Sequence, residues 1–231
     1  MQDWAEQIER LLTCVSESGI SCAPGAVARL EAYCRAVCDW TKRTGLVAPA
    51  DLPLLVQKHV GPGLGPLLLE TPEPCDRWID VGTGGGFPGM VLKLCRPDLR
   101  MTLLDSSRKK TIFLERVKEQ LEVADLEVVE ARVEALHLSD GPLADQIAGN
   151  GGRFPAFEVI LMRAVAPLGR ALPLIEGIAG ADTRFLTFKG KTWEEELAKA
   201  QPVLTKMGWK HEATVQIPWA QPKILKLVRV S

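Results

Sequence analysis

One stretch limits the possible folds of this chain more than any other: an apolar run ending in an acid, a turn of glycines, then a second apolar run. Arg77-Trp-Ile-Asp-Val81 is short, apolar and partly β-branched, which predicts a buried strand. In Asp80-Val-Gly-Thr-Gly-Gly-Gly-Phe-Pro-Gly89, Gly82, Gly84 and Gly86 let the backbone turn sharply and approach a ligand with no Cβ in the way. Pro88 suits the first position of a helix that Met90-Val-Leu-Lys-Leu-Cys95 continues. A strand, a glycine turn and a helix N-terminus make a cofactor pocket.

The pattern then repeats. Strands are predicted near 77–82, 100–105, 126–130, 157–162 and 183–189, with helices near 88–96, 108–122, 167–178 and 192–207 between them. Such alternation predicts an α/β fold with a doubly wound parallel sheet. The tail differs, because Trp209–Ile217 and Lys223–Val230 are two strand-like runs with no helix between them. They predict an antiparallel hairpin at one edge, for seven strands in all. Upstream, residues 3–18 and 24–44 have helical periodicity, and a short third helix covers Leu52 to Val60. Gly61-Pro-Gly-Leu-Gly-Pro66 and Thr71-Pro-Glu-Pro74 break regular structure, so 61–76 reads as a linker. The expected organisation is a helical extension and linker over 1–76 and a cofactor-binding domain over 77–231.

Composition narrows the setting. The 231 residues are 46% hydrophobic and 25% charged, an ordinary globular balance, with no run of about 18 apolar residues to span a membrane. Asp3, Glu6 and Glu9 are wrong for a secretion signal, so a cytoplasmic, monomeric protein is expected. Residues 1–76 carry six Lys/Arg against ten Asp/Glu, and residues 77–231 carry twenty-two against nineteen, so any nucleic-acid site must be a local patch. The six cysteines form no Cys-x-x-Cys pair; buried free thiols are expected rather than zinc ligands, and no metal.

In an open α/β sheet, ligands sit at the carboxyl ends of the strands. Met101-Thr-Leu-Leu-Asp105 ends in an acid 23 residues after Gly82, about the spacing at which a carboxylate accepts hydrogen bonds from a ribose diol. The other reading of Asp105 is a cap for the following helix. A dinucleotide fold wants a third glycine where this chain has Phe87, and Asp80 at the head of the loop would repel a pyrophosphate. That acid attracts a cationic ammonium or sulfonium instead, directly or through water. S-adenosylmethionine carries both and has no phosphate.

At this point the chain resembles the RsmG (GidB) family of 16S ribosomal RNA guanine-N7 methyltransferases. The resemblance rests on Asp80 to Gly89, Leu103-Leu-Asp-Ser-Ser-Arg-Lys-Lys110 with Phe113-Leu114, Ala131-Arg-Val-Glu134, Arg163-Ala-Val-Ala-Pro-Leu168 and Lys189-Gly190, in the family's order across 77–191. It implies a Rossmann-like class I methyltransferase acting on a guanine of the 530 loop (guanine 527), on 16S rRNA, the 30S subunit or an assembly intermediate. It also implies cofactor contacts from Gly82 and Phe87, a ribose held by Asp105, an adenine flanked by Val133 and Glu134, and Arg163 near the methyl-transfer centre. Asp80, Thr83, Gly84, Ser106 and Arg132 belong to the same loops. Upstream, Trp40-Thr-Lys-Arg-Thr-Gly-Leu46 lacks both asparagines of the family pattern at Thr41 and Gly45, and His59-Val-Gly-Pro-Gly, which includes Gly61, lacks its Asp-Ser.

Guanine N7 has a free lone pair and no proton, so its methylation needs positioning and no general base. His59, His137 and His211 are therefore read as structural or surface residues, none lying at a strand's carboxyl end. Arg163 is predicted to face the crevice, contacting guanine O6 or a phosphate, or else forming a salt bridge to Asp80 or Glu134. Arg108, Lys109 and Lys110 oppose the macrodipole of their helix at about 0.3–1 kcal/mol each. They are read as phosphate contacts or as a solvated cluster, with Lys189 a second cation at the same rim. Glu194, Glu195 and Glu196 favour their own helix N-terminus. Trp40 reads as core, while Trp4, Trp193 and Trp219 are left open between core and RNA stacking. The competing readings are a small-molecule or protein methyltransferase, a non-catalytic ribosome-binding module, and a dehydrogenase.

Overall fold

The computed structural model describes residues 3–73, 76–136 and 157–230; His137 and Cys75 lie outside them. Strands β1 (Arg77–Val81), β2 (Arg100–Asp105), β3 (Leu126–Glu130), β4 (Phe157–Met162) and β5 (Ala179–Lys189) are parallel. Strands β6 (Trp209–Gln216) and β7 (Lys223–Arg229) pair antiparallel, and β7 also pairs antiparallel with β5. The sheet order is β3-β2-β1-β4-β5-β7-β6. Chain order reverses at β1, which has β2 on one side and β4 on the other. That reversal opens a crevice at the carboxyl ends of β1 and β4.

The period of two sorts each strand into two cores. Trp78, Leu103, Val159, Leu161 and Leu186 face one side, whereas Ile79, Val81, Leu104, Ile160, Met162 and Phe185 face the other. The first side packs helices α1 (Trp4–Glu17), α2 (Ala26–Thr44), α3 (Gly89–Cys95) and α4 (Arg108–Gln120). The second packs α5 (Leu168–Ile175) and α6 (Trp193–Lys206). α1 opens on Asp3, whose side chain accepts from Glu6 N at 3.1 Å, and α2 closes on Gly45 in the left-handed region (φ 64°). Asn and Gly both suit that position, so the departure from the family's asparagine at Gly45 costs the helix end nothing. Thr41, the other departure, is buried and donates to Val37 O at 2.7 Å.

Three expectations are corrected. The helix foreseen over Leu52–Val60 is a 3₁₀ segment (Pro49–Leu54) followed by a π turn (Val56–Val60). The expected linker is packed structure: Gly61–Gly63 and Gly65–Leu68 are helical turns, buried along most of their length. A Cβ on Gly65 would lie 2.6 Å from the Cδ1 atoms of Ile217 and Ile224, so glycine here lets the turn meet the C-terminal hairpin. Glu70 pairs with Arg184 (2.9 Å) and Lys226 (3.0 Å), fixing the following segment to β5 and β7. β5 starts at Ala179 rather than 183, its register with β4 broken by a bulge where Thr183 Oγ1 donates to Phe157 O at 2.6 Å.

Trp4 and Trp40 join the first core, Trp40 lying 5.7 Å from the Phe113 ring. Of the cysteines described, Cys34 and Cys95 are buried, while Cys14 is exposed, against expectation. No helix among the described residues is long and apolar enough to cross a membrane.

Candidate functional site

The glycine loop is built around two carboxylates. Asp80, next to last in β1, is fully buried; its Oδ2 accepts from Thr83 Oγ1 at 2.6 Å and Gly89 N at 2.8 Å. Its Oδ1 is buried with no hydrogen-bond partner among the described residues. Burial pushes the Asp80 pKa up to about 6, against the opposing pull of the Thr83 and Gly89 hydrogen bonds and the Arg163 charge. Asp105 ends β2, where its Oδ2 accepts from Gly84 N and its Oδ1 from Ser107 N, each at 2.9 Å. Asp105 therefore anchors the glycine loop and closes a tight turn onto Ser107, the residue before α4; it does not cap the helix, whose first turn has no side-chain cap hydrogen bond among the described residues. An ionised carboxylate has about four lone-pair sites, so acceptor capacity remains.

Gly82 and Gly84 have φ of 68° and 61°, which the loop geometry requires. Close helix–strand approach, the task of the third glycine in a dinucleotide loop, falls to Gly89: a Cβ there would overlap Leu103 Cδ2 and lie 2.9 Å from Asp80 Cβ. The Phe87 ring turns to the N-terminal region, 5.4 Å from Tyr33 and 5.0 Å from His59. The Tyr33 hydroxyl donates to Gly85 O, so α2 holds the loop from behind. Tyr33 escaped the sequence reading, although it is the chain's single tyrosine and lies on the apolar stripe of α2.

Across the crevice, Arg163 follows β4. Its Nη2 donates to Lys58 O at 2.6 Å, its guanidinium lies 5.7 Å from the centre of the Phe188 ring, and its Nη1 is buried with no partner among the described residues. Neither Asp80 nor Glu134 forms an ion pair with it among those residues; Asp80 acts on it through its field alone. Burial lowers the Arg163 pKa, yet a guanidinium stays charged. Ala164 takes φ 57°, an unusual backbone state for a residue with a side chain. Val165, 42% exposed, reaches over Gly82, its Cγ2 2.5 Å from where a Cβ would sit.

Of the remaining candidates, Ser106 is exposed beside Asp105, and Arg132 and Glu134 are exposed around the turn after β3, where Val133 is buried. Ala131 N donates to Asp105 O at 3.3 Å, which brings that turn to the same crevice. Arg108 and Lys109 are exposed, whereas Lys110 lies 3.5 Å from Asp105. Lys189 is corrected: only 8% exposed, it pairs with Glu196 at 2.7 Å instead of standing at the rim as a free cation. Glu196 also accepts from Leu168 N at 2.6 Å, capping α5 from another helix. Glu196→Ala is expected to cost roughly 2 kcal/mol, because it uncaps α5 and leaves a buried ammonium unpaired. Urea unfolding checks this, with Glu196→Gln expected to lose about half as much.

His59 is the main addition from the N-terminal region. It lies 3.4 Å from Asp51, against Phe87 and near Arg163, and burial, followed by the Arg163 charge, lowers its pKa. Gly61, beside it, accepts from Trp219 Nε1 at 2.8 Å, which ties the turn to the β6–β7 connection. Lys58, His59, Arg163, Lys191, Gln216 and Lys223 stand around an open cleft of about 790 Å³.

A glycine loop fixed by acids at the ends of β1 and β2, in a sheet with an antiparallel C-terminal hairpin, is the architecture of class I methyltransferases. Among solved structures the chain resembles a mutant of MtNAS in complex with S-adenosylmethionine, with TM-score 0.57, 13% identity, and 88% of this chain and 75% of that one covered. It also resembles a SAM-dependent methyltransferase from Aquifex aeolicus, with TM-score 0.54, 15% identity, and 81% and 97% covered. The family described as GidB, rRNA small subunit methyltransferase G, matches residues 26–225, and the chain belongs to it. A ribosomal RNA small subunit methyltransferase G of Halorhodospira halophila is 34% identical over 187 residues, 81% of this chain and 80% of that protein. One from Thermoanaerobacter pseudethanolicus is 30% identical over 212 residues, 92% and 84% of the two chains.

Proposed function

We propose that the protein uses S-adenosylmethionine to methylate N7 of a guanine in 16S rRNA, acting as a cytoplasmic monomer on the 30S subunit or an assembly intermediate. Family membership and the fold support an rRNA methyltransferase with this cofactor. The guanine position, that of the 530 loop, rests on the likeness drawn from the strand-end residues. The observation that carries the reading is the pairing of an acid-anchored glycine loop at β1 and β2 with Arg163 across the crevice at β4.

The residues fit the cofactor. Asp80 brings a buried carboxylate with one unpartnered oxygen, which suits a cationic ligand and opposes a pyrophosphate. Asp105 keeps acceptor sites for a ribose diol, and the glycines clear the approach. Gly82, Thr83 and Gly84 would hold the cofactor from the loop, Asp105 and Ser106 from the end of β2, and Arg132, Val133 and Glu134 from the turn after β3. When bound, S-adenosylmethionine supplies an activated methyl group and a neutral thioether leaving group.

The chain's own task is orientation. N7 carries no proton, so no side chain need remove one, and His59, with its lowered pKa, is uncharged at neutral pH. Arg163 is held by Lys58 O and Phe188 with one nitrogen unpartnered among the described residues, a fixed donor for O6 or an adjoining phosphate that leaves N7 open.

Methyl transfer to 30S particles lacking the mark, followed by digestion and mapping of the modified base, tests the proposal. N7-methylguanine in 16S rRNA is expected; a label found only on protein or on a small molecule would sink it. Asp105→Ala is expected to weaken S-adenosylmethionine binding about 10- to 100-fold, the loss of charge-assisted hydrogen bonds. Titration calorimetry measures that change, and an unchanged affinity removes Asp105 from the site.

A further inference from the structure

We infer that the cleft between the Lys58–His59 turn and the β6–β7 connection is the track for the single-stranded RNA phosphates on either side of the acceptor guanine, with Lys191 and Lys223 as their outer contacts. This rests on the reading of the substrate given above and adds where its backbone lies.

Four cations from separate segments line the cleft: Lys58, Arg163, Lys191 and Lys223. Among the described residues a single carboxylate faces them there, Asp51, already engaged by Lys58 at 2.5 Å and His59 at 3.4 Å. The chain as a whole has net charge −1, so this positive character is local. Lys191 is exposed beside Gly190, where an added Cβ would meet nothing within 4 Å, which leaves room for a backbone to pass. Lys223 lies 5.2 Å from the centre of the Trp193 ring, holding its ammonium at the cleft mouth. At about 790 Å³ the cleft has room for a ligand larger than a base. The major groove of an A-form helix is too narrow for a side chain such as Arg163 to reach guanine there, so the strand that meets it is single.

On the opposite rim Arg108 and Lys109 are exposed, Lys110 lies near Asp105, and the hollow beside Arg108 is lined by Glu115, Glu119 and Glu130 together with Arg108 and Arg116, a more mixed surface than the cleft.

The test compares wild type with a Lys191→Ala/Lys223→Ala double variant. Lys199→Ala/Lys206→Ala, two exposed cations on α6, controls for total charge. The probes are S-adenosylmethionine in calorimetry, a single-stranded oligoribonucleotide in binding at several salt concentrations, and 30S particles lacking the mark in turnover. The double variant is expected to keep cofactor affinity, to raise KM for 30S particles about tenfold, and to flatten the log K against log salt slope by about 1.4. Lys191→Arg/Lys223→Arg is expected to restore both. A double variant that matches the control in slope and KM overturns the track while leaving the methyltransferase reading intact. A wild type that binds S-adenosylmethionine yet neither binds the oligoribonucleotide nor methylates 30S particles overturns the substrate reading, and the track with it.

Discussion

The stability advantage of the wild type over Asp80→Asn is expected to grow by about 3 kcal/mol as pH falls from 7 to 3. Asp80 is fully buried, and burial holds its folded pKa near 6, about two units above the ordinary value of 3.8. Two units amount to about 3 kcal/mol. Because the folded pKa is raised, the folded state holds its proton after the unfolded chain has released one. Stability from this group is therefore fully present only below the unfolded pKa of 3.8, close to complete by about pH 3, and is lost as pH rises through 6. Asparagine does not titrate, yet its oxygen can still accept from Gly89 N and Thr83 Oγ1. Taking the difference between the two proteins cancels the other carboxylates, including Asp51 and Asp98, whose lowered pKa values act in the opposite sense. Urea unfolding across that range measures it, and a flat difference would refute the assignment. At neutral pH the fold thus carries a buried negative charge at a cost, which fits a site that receives a cation. S-adenosylmethionine is accordingly expected to shift the titration window of the wild type to lower pH.

Arg163→Ala is expected to lower turnover on unmethylated 30S particles about 10²-fold or more, with a smaller change in S-adenosylmethionine affinity. The guanidinium is fixed by Lys58 O and the Phe188 face, and its Nη1, with no hydrogen-bond partner among the described residues, is a donor on a rigid mount. Alanine removes that donor and the positive field that draws the Asp80 pKa down, so the carboxyl of the variant should titrate higher still. Arg163→Lys separates the two effects. A lysine supplies charge without the planar fork, so it should restore the Asp80 titration but not turnover. The kinetic reading is a fall in kcat larger than any change in KM. A lysine variant with full turnover would reduce Arg163 to a local counter-charge.

The residues legible in the sequence share one property: their positions follow from local pattern. Asp80, Asp105 and Arg163 each end an apolar run, and a strand's end in a doubly wound sheet is a place in space as well as in sequence. Apart from the helix foreseen over Leu52–Val60, the helices and the antiparallel hairpin are found within a few residues of their predicted bounds for the same reason. Positions fixed by distant packing were not legible. Gly65 and its neighbours read as a linker because glycine and proline break periodicity, whereas here they permit close contact with Ile217 and Ile224. Glu196 read as dipole compensation for its own helix, yet it caps α5 and neutralises Lys189. His59 read as structural or surface because it lies at no strand's carboxyl end, and only the fold of the N-terminal turns brings it to Phe87 and Asp51.

The sequence by itself determined the cofactor loop and the order of strands and helices, because hydrophobic period, glycine placement and the acids before turns act over a few residues. Only the tertiary structure decided what surrounds the crevice. The N-terminal turns, the end of β4 and the β6–β7 connection are more than fifty residues apart in the chain, and they meet because both faces of the sheet must be covered. Their meeting makes the cationic cleft, and no local pattern along the chain records it.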